Sequence, residues 1–188
     1  MKKIRGYKMG NKGFTFTELM IVVAVAAISV TMAFPTFLAQ RNKARIKRAG
    51  RDMVSHFQMA RINAMRDGRD WAIFFDAAGD AYRLVHAGAD RHLDTGDDIT
   101  VKTVSLSEYG DVSFGIGSGI GPRPGGVVPE NGVTTFSGNT FHFDPGGISN
   151  KSGTVYMKNG KGQTFAVGTI TVTGRVKAWA NWGQGWEE

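Results

Sequence analysis

The stretch Gly13–Pro35, GFTFTELMIVVAVAAISVTMAFP, decides the architecture of this 188-residue chain. From Leu19 to Ala39 no residue is charged, and Val, Ile, Met, Ala and Phe recur on every side without a polar stripe. At about 1.5 Å of rise per residue, a helix over this run spans about 30 Å, the hydrocarbon thickness of a bilayer. A buried core helix of that length and uniformity is uncommon in a small domain, so the pattern predicts a transmembrane helix. A cleavable secretory signal has an apolar region of about 7–15 residues followed by small residues at the cut. This run is longer, and Phe34-Pro35-Thr36 is not such a site. One carboxylate, Glu18, stands at the head of the run, where a charge costs a few kcal/mol in lipid and less near the interface. The dipole at a helix start offsets part of that cost.

The formal net charge of +7 resembles a nucleic-acid signal until it is mapped along the chain. Residues 1–13 carry five Lys or Arg and residues 41–51 carry six, with no acid in either segment. Residues 52–188 hold 12 basic and 15 acidic residues, so the head has no overall basic field. The basicity therefore flanks the apolar run. Those flanks are too evenly matched for the positive-inside rule to orient the span. A following segment of this length, however, translocates largely regardless of charge. The expected orientation is an N-terminus in the cytoplasm and a head outside. There is no cysteine, which excludes a disulfide framework and a thiolate metal site.

Beyond the span, residues 40–67 read as the amphipathic second half of the same helix. Ile46, Ala49, Met53, Phe57, Ala60 and Ala64 recur at helical spacing and form one face, expected to pack on the sheet of the head. Lys43, Arg45, Lys47, Arg48 and Arg51 cover much of the rest. Gly68, in RDG, suits a left-handed cap. The period then changes to two. WAIFF and AYRLVH (81–86) flank the turn DAAGD and predict a hairpin. Further strands are expected at 99–106, 111–116, 139–143, 154–158, 164–172 and 175–179. Phe165 and Val167 share one parity, and Ile170 and Val172 the other, so a bulge is expected at Gly168. Residues 115–132, rich in Gly and Pro, lack the Lys and the strand–loop–helix setting of a phosphate cradle and read as a flexible connection.

The spacing of the N-terminal residues resembles that of type IV pilin-like proteins, including the pseudopilins of type II secretion. The features are a short basic leader ending in Gly13, then Phe14 and Thr15, an acid at Glu18, about twenty apolar residues and Pro35. The resemblance implies that a prepilin peptidase cuts between Gly13 and Phe14 on the cytoplasmic side and methylates the new N-terminus at Phe14. Glu18 then becomes the fifth mature residue, positioned to pair with an N-terminal amine, its own or a neighbour's. Pro35 becomes the twenty-second. It supplies no N–H to the carbonyl of Thr31. A membrane helix tolerates this, and the resemblance adds a kink or a locally melted segment as a second reading. Later motifs, ARINAMRDGRDWAIFF, FHFDPGG and GTITVTGRVKAW, look like the GspH/FimT branch of minor pilins and pseudopilins, where a GR turn joins two late strands.

The expected fold is α+β and pilin-like: leader 1–13, transmembrane and assembly helix 14–39, amphipathic helix 40–67, and a β-rich antiparallel head, 68–188. The function implied is that of a minor pseudopilin, a structural subunit of the periplasmic pseudopilus of a type II secretion system, at its tip. The alternative is a minor pilin of a type IV pilus, with a role in pilus priming or DNA uptake. The implied partners are other pilin-like subunits, the prepilin peptidase and an inner-membrane assembly platform. The implied location is the bacterial inner membrane and then a periplasmic filament.

Three side sites remain. Asp90, Asp94, Asp97 and Asp98 offer oxygen ligands for calcium, without the spacing of an EF-hand, so a solvated hairpin loop stands beside that reading. Arg175 and Lys177 share a strand face after Gly174 and are the residues a DNA-uptake role would use. Lys at the second position attracts phosphate without a bidentate fork. Trp179, Trp182 and Trp186 either pack the tail on the sheet or form a subunit contact. His56, His86, His92 and His142 are scattered in the sequence, and no nucleophile–base pair or metal-ligand spacing is visible, so no enzyme and no firm cofactor is expected.

Overall fold

The computed structural model describes residues 13–149, 151–169 and 173–188. The basic leader before Gly13, the side chain of Pro35, and Ile170 and Val172 lie outside the described residues. One helix, α1, runs from Phe16 to Asp67. Its helical assignment is continuous through Pro35. The chain forms two compact units, one ending at Gln40 and the other running from Arg41 to Glu188. The amphipathic half of α1 therefore folds with the strands and supplies one wall of their core.

Among the described residues, nine strands follow. They are β1 (Trp71–Asp76), β2 (Ala81–His86), β3 (Ile99–Ser105), β4 (Val112–Phe114), β5 (Thr140–Phe143), β6 (Gly153–Asn159), β7 (Thr164–Thr169), β8 (Val176–Asn181) and β9 (Trp186–Glu187). They make two sheets, ordered β3-β2-β1-β5 and β4-β6-β7-β8-β9, and every strand pairing is antiparallel. The core draws on α1 and on both sheets. All six residues of the expected helix stripe are buried, from Ile46 to Ala64. Phe57 is fully buried and stacks on Phe141 at 5.0 Å between ring centroids, with Phe75 and Phe136 each at 6.3 Å. Gly50 brings the helix against β7, since a Cβ there would lie 2.3 Å from the ring of Phe165. The helix ends as expected: the N–H of Gly68, at φ +62°, donates to the carbonyl of Ala64.

Three expectations change. The β6–β7 and β7–β8 ladders keep a regular register through Gly168, so no bulge lies there. Gly168 is instead a site of close approach, where a Cβ would meet the carbonyl of Gly153 at 2.2 Å. The register shift occurs between β2 and β3, at Leu84 and Val85. The glycine-rich connection is pinned rather than free. Gly117 N donates to Thr164 Oγ1 at 2.9 Å, Arg123 Nε donates to Thr154 Oγ1 at 2.9 Å, and Trp186 Nε1 donates to the carbonyl of Gly121 at 3.1 Å. The third change is β9, a two-residue strand on β8 that periodicity did not reveal.

Candidate functional site

The apolar half of α1 carries the site. It contains a run of mean hydropathy 2.2, none of it buried, long and apolar enough to cross a membrane. Phe14 and Phe16 are 82% and 75% exposed at its start. Thr15 is the N-cap: its carbonyl accepts the first helical bond, from Leu19 N, at 3.1 Å. Its hydroxyl oxygen accepts from Glu18 N at 3.2 Å, while Thr15 N donates to Glu18 Oε2 at 3.2 Å. The Thr15 hydroxyl also lies 3.2 Å from the same carboxylate oxygen. This is a capping box, two orphan amides satisfied reciprocally. Its sequence signature is Thr-x-x-Glu ahead of an apolar run, present here as TFTE. Glu18 thus has a local task on the unprocessed chain, and that task sits one residue past the expected new N-terminus. Deeper in the run, Ser29 and Thr31 turn their hydroxyls to the carbonyls of Val25 and Ala27, both at 2.8 Å, which removes their polarity from the apolar surroundings.

A prokaryotic N-terminal methylation motif matches residues 8–34, the segment that holds Gly13, Phe14 and Glu18. A family model described as type II transport protein GspH matches residues 49–179. The chain belongs to the GspH family. Its GspH region begins inside α1, in agreement with the helix half that folds with the sheets. A search of curated proteins finds no match. Among solved structures, the chain is similar to the minor pseudopilin EpsH from the type 2 secretion system of Vibrio cholerae. Identity is 12%, coverage is 72% of this chain and 97% of that one, and the TM-score is 0.50, a likeness of fold. It is also similar to the type IV minor pilin FimU of Pseudomonas aeruginosa strain PAO1, with 11% identity, 72% and 88% coverage and a TM-score of 0.48. This GspH-family chain thus joins a methylation motif and an apolar helix long enough to cross a membrane to a GspH head of pilin-like fold.

The side sites of the head sort differently. Three of the acidic loop's four carboxylates, those of Asp90, Asp97 and Asp98, accept bonds from nearby backbone amides. Ala89 N donates to Asp97 Oδ2 at 2.7 Å, His92 N to Asp90 Oδ1 at 3.0 Å and Asp94 N to Asp98 Oδ2 at 2.8 Å. The bond from the Thr95 hydroxyl, then those from backbone amides, hold the Asp97 carboxyl below its ordinary range. Among the described residues no group of three or more His, Asp and Glu side chains is placed to hold a metal ion. Arg175, just before β8, is exposed, but Lys177 on β8 is half-buried and ion-paired with Glu188. That pair occupies the cation a phosphate would need. Trp179 is buried beneath the guanidinium of Arg123, 4.5 Å away, and Trp186 meets Tyr156 edge-on at 6.1 Å, so the tail packs on the outer face of its sheet. Trp182 lies under Lys43 of α1 at 4.4 Å.

The structure also joins three residues that the sequence leaves apart. His56 of α1 is buried, with Nδ1 2.7 Å from the hydroxyl of Tyr82 on β2 and Nε2 3.0 Å from Lys102 Nζ on β3. An ammonium only donates, so Nε2 accepts and Nδ1 carries the proton toward Tyr82. Burial, then the Lys102 charge, lowers the His56 pKa, and burial raises that of Tyr82. The trio fastens the helix to both strands and holds His56 neutral.

Proposed function

We propose that this chain is a minor pseudopilin of a type II secretion system. Prepilin peptidase cuts it between Gly13 and Phe14 and methylates Phe14. The apolar half of α1 holds it in the bacterial inner membrane, N-terminus in the cytoplasm and head in the periplasm, until the assembly platform extracts it into the pseudopilus tip. The observation that carries this reading is the conjunction, in one chain, of a methylation motif on an exposed apolar helix with a GspH head. Glu18 is the residue on which assembly turns. Its carboxylate caps the helix through Thr15 before processing. Once the leader is gone, an α-amine stands four residues away on the same chain, and a neighbouring chain offers another. Pairing with such an amine offsets the cost of carrying a carboxylate into the apolar filament core. Pro35 serves the same step by lacking one helical hydrogen bond in the segment that repacks.

The test is co-purification of the full chain with the other pilin-like subunits of its system, together with the mass of its N-terminal peptide. A methylated peptide starting at Phe14, in a complex that drives export of the system's substrates, is the expected result. An intact leader in assembled material overturns it. A type IV minor pilin would share the motif and the head. The subunits recovered with the chain, and whether they include those of a retractile pilus, separate the two.

A further inference from the structure

The head half of α1 buries one face and leaves the opposite one uncovered. Along the uncovered face, Arg41, Ala44, Arg48, Arg51, Ser55, Gln58, Ile62 and Met65 follow one another at alternating spacings of three and four, and all are exposed. Residues at this spacing line one face of a helix. Its composition is divided. The first half carries Arg41, Arg48 and Arg51, with Lys47 beside them, and the Arg48 side chain is 78% exposed even with Asp52 at 3.9 Å. The second half carries Ile62 and Met65 with Met59 alongside, 59%, 47% and 41% exposed. Ile148, 50% exposed, extends the apolar end from the neighbouring loop, where Met65 packs over Gly147. Isolated surface apolar residues need no explanation, but a row of them in one helix seam marks an interaction surface.

We infer that this divided face docks the helix of a different pilin-like subunit, one that carries Asp or Glu opposite Arg48 and Arg51 and aliphatic residues opposite Met59, Ile62 and Met65. The inference rests on the assembly reading above and specifies its partner. Charge decides the occupant. A second copy packed in parallel sets Lys47, Arg48 and Arg51 against the same three cations, and packed in antiparallel it sets them against the Met and Ile row. Both arrangements are unfavourable, since like charges facing each other and charges left unpaired at an interface each oppose association. A lipid headgroup surface satisfies the basic half but leaves the apolar half in water. Only a helix acidic at one end and aliphatic at the other meets both. The seam therefore enforces hetero-association, which suits a subunit present in few copies.

The test places a photoreactive amino acid at Gln58, in the middle of the seam, in the full chain expressed with the other pilin-like subunits of its system. Irradiation is expected to join it to the helix of one such subunit, near an acidic residue on that helix. The double variant Arg48→Glu/Arg51→Glu is expected to lower the yield about tenfold, equivalent to about 1.4 kcal/mol. Reversing the partner's acids to Lys is expected to restore it. Both arginines are exposed, so an unchanged thermal midpoint of the variant checks its folding. An adduct with a second copy, with lipid, or with no molecule overturns the inference, as does a yield indifferent to charge reversal. The N-terminus read from the same sample separates the two claims. No adduct on chains that start at Phe14 overturns the docking face alone, whereas chains that keep their leader overturn both.

Discussion

Thr15 and Glu18 close the start of α1 on each other, Glu18 N on the Thr15 hydroxyl and Thr15 N on the Glu18 carboxylate, each at 3.2 Å. The acid that the assembly reading assigns to an amine is thus also an N-terminal cap, and the two tasks are separable by chemistry. Glutamine serves at the third helical position of a capping box but has no charge. Glu18→Gln is expected to leave membrane insertion intact and to remove most of the chain from co-purified filament complexes. Normal incorporation of that variant would leave Glu18 with the capping task alone. Thr15→Ala removes the cap, worth about 1 kcal/mol, and is expected to assemble nearly normally.

Gly13 has no side chain, which suits a peptidase cleft. Gly13→Ser is expected to leave the leader attached, read as an intact N-terminal peptide by mass spectrometry. A peptide beginning at Phe14 in that variant would show that the cut does not depend on Gly13.

The head depends on the contact of α1 with both sheets. Phe57→Ala empties a site lined by Phe75, Phe136 and Phe141 and is expected to cost about 3–5 kcal/mol. Gly50→Ala drives a methyl into the ring of Phe165 and is expected to cost about 1–3 kcal/mol. Urea unfolding of the two variants checks both. A Gly50→Ala head as stable as the original would show that Phe165 can move aside.

The His56 trio makes the head sensitive to acid. Its folded pKa lies below the ordinary value, so the unfolded chain takes up a proton first as pH falls. The stability His56 contributes is complete above about pH 6.5 and is lost as pH falls from there toward the folded pKa. Lys102→Met removes the nearby cation and is expected to flatten this dependence. Urea midpoints at pH 7.5 and 5.5 decide it, and equal slopes for the two proteins would exclude the coupling.

Trp186 ties the tail to the glycine-rich connection through its bond to the carbonyl of Gly121 and its edge contact with Tyr156. Trp186→Ala is expected to cost about 1–2 kcal/mol and to open residues 117–130 to protease. Unchanged cleavage there would mean that Arg123 and Thr164 hold the connection alone.

The apolar run of membrane-spanning length, the amphipathic stripe from Ile46 to Ala64, the Gly68 cap and most strands were legible because each is a local pattern. Helix and strand periods, an uncharged run of bilayer length and a motif at fixed spacing are properties of neighbours in the chain. Even the Thr15–Glu18 box was written there. The rest waited for the fold. Parity at Gly168 suggested a bulge, but ladder register is set by what faces each strand, and the shift fell at Leu84 and Val85. Composition made residues 115–132 look loose, but Thr154, Thr164 and Trp186, remote in sequence, satisfy their polar groups. His56, Tyr82 and Lys102, and likewise Lys177 and Glu188, meet because strands and helix bring distant residues within hydrogen-bond reach. The sequence by itself determined that an apolar helix of membrane-spanning length opens the chain, with a methylation motif at its start, and what kind of head follows. Tertiary structure alone decided which charges are already paired and which face of α1 is left exposed, because burial and pairing depend on distances across the fold and not along the chain.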